Sequence, residues 1–157
     1  ISPARAKAAG YSDSYFSLAT VPLILSANAD KFKDWADLDK PEVTVAATLG
    51  TTQEKQVKDF FPSAQYKIVE APARDFQEVL AGRADAHITS NVEASKLVEK
   101  YPQMMIVPVD QPKARTPIAM LLPQADQVWI NYVNTWIKLK QEAGFFDTLA
   151  DKWQLTN

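Results

Sequence analysis

Between residues 43 and 109 the chain alternates between stretches that favour strands and stretches that favour helices. Apolar, β-favouring runs at 43–48, 66–70, 84–89 and 104–109 read as strands, and 52–60, 75–81 and 92–101 read as helices. Few folds accept that order. A chain that leaves a strand through a helix crosses back over the sheet, so the next strand lies parallel to the first. The region is therefore expected to form an α/β unit with a largely parallel sheet. In the helix at 75–81, Phe76, Val79 and Leu80 share one face, with Gly82 as the C-terminal cap. Asp85 is read as organising the start of the following strand.

The flanks are less regular. Residues 1–15 are small and polar, and read as loop with a helical turn. Residues 16–25 read as an extended strand, with Pro22 placed at an edge or a crossover. A short helical turn at 34–38 precedes Pro41, and a strand is expected at 116–122. The longest helix, 126–143, carries Trp129, Tyr132, Val133, Trp136, Ile137 and Lys140 as one stripe, and Gly144 closes it. A last short helix covers 147–153. Trp129, Trp136 and Trp153 are read as core.

Ligands of open α/β sheets gather beyond the carboxyl ends of the strands. Two polar turns stand at such ends. The first is Thr48-Leu49-Gly50-Thr51-Thr52-Gln53-Glu54. A strand that turns through glycine into a helix aims unpaired backbone N–H groups at one spot, and the helix dipole adds partial positive charge. Such a turn suits an anion, and the hydroxyls of Thr51 and Thr52 can add hydrogen bonds. The same residues also suit an ordinary βα turn with threonine as the N-cap. The second turn is Thr89-Ser90-Asn91.

Composition narrows the chemistry. The chain has 157 residues, 46% of them hydrophobic and 23% charged, as in a globular protein able to bury a core. There are 17 basic and 19 acidic side chains, and no basic stripe marks a nucleic-acid partner. Without cysteine, thiol catalysis and thiolate metal sites are excluded, and a single histidine argues against a histidine-rich metal site. No apolar run approaches the roughly 20 residues of a membrane-spanning helix. His87, alone in a strand, is given no role.

The motifs also run in a familiar order. Ile1-Ser2-Pro3-Ala4-Arg5 and Tyr11-Ser12-Asp13-Ser14-Tyr15 open the chain, and Leu49-Gly50-Thr51-Thr52-Gln53-Glu54 follows. Ala81-Gly82-Arg83-Ala84-Asp85-Ala86 comes next, and Gly144-Phe145-Phe146 through Lys152-Trp153 ends the series. This order resembles the family 3 solute-binding proteins, the extracytoplasmic receptors of polar amino-acid ABC transporters. The resemblance implies a type II periplasmic-binding fold of two lobes with mixed, largely parallel sheets. Residues 1–25 would be the end of lobe one and the first crossover, 26–113 lobe two, and 114–157 the return crossover with C-terminal helices packing on lobe one. Family members carry a further stretch before the first motif, so the N-terminal part of lobe one is expected to be absent here.

What the resemblance implies for the site follows residue by residue. Arg5 matches the arginine that clamps a ligand carboxylate, a task suited to a planar fork of donors. Thr52 and the backbone of Gly50 and Thr51 match the second-lobe donors to the same group, and Thr48 and Gln53 lie beside them. The implied partners are a small carboxylate-bearing solute, captured by hinge closure, and a membrane ABC permease; no cofactor, metal or nucleic acid is implied. One position departs from the pattern. Where amino-acid binders carry an aspartate for the ligand ammonium, this chain has Ser90, a neutral hydroxyl without counter-charge. Either Asn91 or Glu93 compensates, or the ligand has a carboxylate and no amine.

A second branch of the family, the cyclohexadienyl (arogenate/prephenate) dehydratases, is similar at Lys40-Pro41-Glu42-Val43-Thr44, at Thr89 with Glu93, and at Leu121-Leu122-Pro123. There a glutamate at the position of Glu93 serves as general acid, work that a carboxyl group with a raised pKa can do. The alternative for Glu93 is a first-turn residue favoured by the helix dipole. Tyr11 and Tyr15 either line a cleft or pack, and Arg74 and Arg115 belong to no motif.

Overall fold

The computed structural model describes residue 1, residues 3–153 and residue 155. Ser2 of the opening motif lies outside the described residues. The chain divides into two compact units, one made of residues 1–19 and 114–157 and the other of residues 20–113.

The second unit is built on a sheet of strands β2 (Phe16–Leu25), β3 (Thr44–Thr48), β4 (Gln65–Val69), β5 (Ala86–Ser90) and β6 (Met104–Ile106), in the order β4-β3-β5-β2-β6. β3 lies parallel to both β4 and β5, whereas β2 runs antiparallel to β5 and to β6. The sheet is thus mixed, with a single reversed strand among these five. The connecting helices are α2 (Trp35–Leu38), α3 (Thr52–Phe60), α4 (Asp75–Leu80) and α5 (Asn91–Lys100).

Both faces of this sheet are covered, as parallel sheets require. Val45, Ala47 and Ile88 join Val57 and Phe61 of the α3 region on one face, while Ala46, Val21 and Leu23 join Val79, Ala94 and Leu97 of α4 and α5 on the other. That is why β3 reads as a continuous apolar run rather than an alternating one.

Of the two places read for Pro22, an edge or a crossover, the structure excludes the edge, and β2 (Phe16–Leu25) runs across the division between the two units at residues 19 and 20. Pro22 lies in β2, an interior strand, opposite Ile88 of β5. The amide and carbonyl of one strand residue point the same way, and the Pro22 carbonyl accepts from Val107 N–H at 2.9 Å. Its missing donor therefore faces the β6 side, one residue past the last β2–β6 pair, at Leu23 and Ile106. The ladder to β5 loses nothing.

The Gly82 motif does structural work at two ends. Gly82 takes φ of 69° beyond α4, and its N–H donates to Val79 O at 3.0 Å. Arg83 donates through Nε and Nη2 to the two carboxylate oxygens of buried Glu78, at 2.8 and 2.7 Å. Lys67 of β4 reaches the same carboxylate at 3.1 Å. Asp85 accepts the Thr44 N–H at 2.8 Å and so ties the start of β5 to β3. His87 of β5 is buried, with its Nδ1 3.7 Å from the Asp75 carboxylate, beyond hydrogen-bond reach.

The first unit contains α1 (Pro3–Ala6), β1 (Gly10–Tyr11), β8 (Leu121–Leu122), α6 (Gln127–Glu142) and α7 (Phe145–Lys152). The strand expected at 116–122 forms as β7 (Lys113–Ile118) and β8, and β1 pairs antiparallel with β8. Gly10 lies close against α6: a Cβ there would stand 2.7 Å from Ile130 Cδ1, so that side chain would have to shift. Tyr15 stacks on Phe146, and Trp136 meets Phe145 and Phe146 edge-on. The buried stripe of α6 is Ile130, Val133 and Ile137. Trp129 and Trp153, read from the sequence as core, are 45% and 66% exposed. The turn of the helix is set by its aliphatic side, and Trp129 instead stacks on exposed Tyr132. Among the described residues no helix is long and apolar enough to cross a membrane.

The Glu78 clamp sets an acid limit on stability. Hydrogen bonds from Arg83, and then from Lys67, lower the Glu78 pKa from an ordinary 4.5 to about 2. A depressed folded-state pKa adds stability above the unfolded value, and that stability is lost as pH falls through the folded one. Glu78→Gln is therefore expected to lower the melting temperature at pH 7. The gap to the wild type should close between pH about 4.5 and about 2, followed by thermal melts across that range.

Candidate functional site

The polar turns foreseen on β3 and β5 both leave the carboxyl ends of hydrogen-bonded parallel neighbours. Each turn feeds a helix with a hydroxyl cap. At the first, Thr51 has extended backbone (φ −90°, ψ 163°), and its hydroxyl accepts from Glu54 N–H at 3.3 Å. The same hydroxyl donates to the Thr48 carbonyl at 2.6 Å. Gly50 turns the chain with φ of 77°, a region that favours glycine. Its N–H donates to the Glu54 carboxylate at 2.9 Å, and Lys58 donates to the other Glu54 oxygen at 3.1 Å. These contacts, the Gly50 N–H foremost, hold the Glu54 pKa below its ordinary value.

This geometry divides the predicted residues. The Thr51 hydroxyl is engaged on both its donor and acceptor sides by the cap. Thr48 is buried, and its hydroxyl accepts from Asp75 N–H at 3.3 Å, which ties the end of β3 to the start of α4. Thr52 is exposed and Gln53 half-buried, and they supply the first two N–H groups of α3.

At the second turn, Ser90 caps α5 from extended backbone (φ −65°, ψ 149°), accepting from Glu93 N–H at 3.2 Å. Asn91 is buried, and its side-chain oxygen accepts from Val92 N–H at 3.1 Å. Glu93 uses both carboxylate oxygens: Oε2 accepts from the Thr89 hydroxyl, and Oε1 from Arg74 Nη2 at 2.8 Å. Both turns are thus brought to one edge of one sheet. Arg5 lies in α1 of the other unit and is exposed.

Three residues at this edge escaped the sequence reading. Arg74 precedes α4, where its main-chain N–H donates to Gln77 Oε1 at 2.9 Å, and its guanidinium reaches Glu93. Asp75 is buried next to it. Thr20 of β2, opposite Ser90, donates to Gln56 of α3 at 3.2 Å. Arg74 and Thr20 belong to no local motif, and the contacts that matter join residues 19 and 36 positions apart. The one available signal for Arg74 was its place at the end of a β-to-α connection on the same sheet.

Comparison with known proteins finds solute-binding proteins and cyclohexadienyl dehydratases among the similar ones. No protein-family model matches the chain. The cyclohexadienyl dehydratase of Pseudomonas aeruginosa is 26% identical over 149 residues, 95% of this chain. The chain spans 55% of that protein's length. An ancestral cationic amino acid solute-binding protein is 37% identical with a TM-score of 0.77, the match covering 98% of this chain and 65% of that one. The chain has the type II periplasmic-binding fold. An ancestral cyclohexadienyl dehydratase, also 37% identical, superposes with a TM-score of 0.73 over 98% of this chain and 64% of its own. The likeness to solute-binding proteins, with the dehydratase branch beside them, is therefore found in whole-chain comparison as well as in short motifs.

The Thr51 cap carries a measurable share of stability. Replacing a capping hydroxyl by alanine typically costs about 1 kcal/mol. Thr51→Ala is expected to show that loss in urea denaturation, with an unchanged slope, since little extra surface is exposed.

Proposed function

We propose that the protein is an extracytoplasmic binding module that captures a small carboxylate-bearing solute, an amino acid or a related organic acid, for an ABC transporter. The observation that carries this reading is the pairing of two hydroxyl-capped helix starts at the carboxyl ends of adjacent parallel strands. The N–H groups of Thr52 and Gln53, with Gly50 and Thr51 shaping the turn, form the anion-facing side. Ser90 and Asn91 form the second turn. Arg5, carried by the opening motif, is the proposed carboxylate clamp, and capture is by closure of a hinge. In this reading Thr48 acts as a support through Asp75 rather than as a donor.

A dehydratase reading with Glu93 as general acid is favoured by the matches to the cyclohexadienyl dehydratase of Pseudomonas aeruginosa and to an ancestral cyclohexadienyl dehydratase. The site geometry favours binding over it. Both Glu93 oxygens are engaged within the fold, one by the Thr89 hydroxyl and one by Arg74, whereas a general acid must reach the leaving group.

A thermal-shift series with amino acids and small organic acids tests the binding reading. Ligands that prefer the folded state raise the melting temperature by mass action, about 2.7 kcal/mol of added stability at a hundredfold excess over Kd. Carboxylates are expected to protect, and Arg5→Ala is expected to abolish the protection. If Arg5→Ala leaves it intact, the clamp is misassigned. Formation of phenylalanine from arogenate, or phenylpyruvate from prephenate, lost in Glu93→Gln, would replace binding by catalysis.

A further inference from the structure

Behind the first polar turn lie two buried titratable side chains that solute binding leaves unused. His87 and Asp75 are 1% and 6% exposed. Both ring nitrogens of His87 lack a hydrogen-bond partner among the described residues, and Nδ1 stands 3.7 Å from Asp75 Oδ1. An aspartate is seldom buried without a partner, yet no lysine or arginine among the described residues pairs with Asp75. His87 shares one face of the sheet with Ala46 of β3 and Leu23 of β2, its register partners, and neither strand carries a charged residue. On that face α5 contributes Ala94 and Leu97, and α4 contributes Val79 and Phe76, against which Tyr101 packs. The charged groups on and beside these helices are engaged with one another or exposed: Arg74 holds Glu93, Arg83 and Lys67 hold Glu78, and Lys96, Glu99 and Lys100 face solvent. What faces His87 is Asp75.

Asp75 also touches the anion-facing turn. Its N–H donates to the hydroxyl of Thr48, the last residue of β3, and its Oδ1 accepts from Phe76 N–H at 2.9 Å. A charge buried there is poorly screened and opposes a second negative charge entering the turn. Glu54, at the turn itself, is already offset: the Gly50 N–H and then Lys58 keep its pKa below the ordinary value. We propose that His87 and Asp75 form a proton-operated counter-charge for the solute site: as a carboxylate enters the Gly50 turn, His87 takes one proton from solvent and pairs with Asp75. The pair passes from one negative charge to none, with Nδ1–H donating to Oδ1. The inference rests on the proposed solute site and adds its regulation, since capture becomes tighter as the surroundings acidify. By reciprocity, bound solute strengthens the hold on the proton by the same factor.

The chain has one histidine, so its imidazole resonance in NMR reports this proton alone. The probes are L-arginine, L-glutamine and L-lactate, whose carboxylates stay ionised, with affinity read by calorimetry from pH about 5 to about 8. In the wild type the His87 resonance is expected to titrate in that range and to shift to higher pH when a probe binds. Affinity should rise about tenfold from the upper to the lower end. His87→Phe should bind with an affinity independent of pH. Asp75→Asn keeps the bond to Thr48, which uses the main chain, and removes the opposing charge. It should bind at the upper end as tightly as the wild type does at the lower, a gain that a merely structural residue would not give. A His87 resonance fixed across the range, an unchanged pH slope in His87→Phe, or weaker binding in Asp75→Asn overturns the proposal and leaves the solute site standing. If no probe binds the wild type at any pH, the solute-site reading fails and the coupling falls with it. Should His87→Phe fail to fold, Asp75→Asn and the wild-type resonance decide.

Discussion

The second unit depends on burying β3 from both sides. Val45, Ala46 and Ala47 are all inaccessible to solvent. A strand in that position cannot slip by one residue, because a slip would exchange the whole set of side chains between two packed faces. Its carboxyl end is therefore fixed, and so is the turn that follows. The Thr48 hydroxyl carries the same constraint sideways to α4 through Asp75. The Glu78–Arg83–Lys67 cluster and the Asp85–Thr44 bond tie β4 and β5 to the same frame. The polar turns are precise because the apolar strand beneath them has no alternative register.

Much of this frame was legible in the residues. The second-unit strands and helices form where periodicity places them, to within a few residues, and Gly82 and Gly144 adopt the left-handed backbone expected of them. These are local properties. For Pro22 the edge alternative fails, because it treats a missing donor as excluding any interior strand. The structure needs only one free direction, and the short length of β6 supplies it. Trp129 of α6 was misread because its place on the helical stripe was taken as burial, whereas Trp136 of the same stripe packs on Phe145 and Phe146. Helical spacing fixes which residues share a face, but the packing of Ile130, Val133 and Ile137 fixes which face is inside.

The candidate site was half legible. The Thr51 turn could be named because threonine capping is a local code, and Ser90 because it stands in a polar turn at the carboxyl end of a strand. Arg74 could not, since its partner lies on another helix of the same edge. The resemblance to solute-binding proteins pointed to the same turns without reference to capping. The two arguments meet at Gly50 and Ser90, one from backbone geometry and one from motif order.

The first unit is stitched from distant pieces: Gly10 and Tyr11 pair with Leu122 and Leu121, more than a hundred positions later. The second unit is one unbroken stretch between them. During synthesis the inserted stretch can complete its core while the remainder is still being made, whereas the opening residues must wait for the last helices. Until then Gly10 has no Ile130 to rest against. The order of assembly is thus written into the threading of the chain: the continuous unit can finish its sheet before the discontinuous one closes.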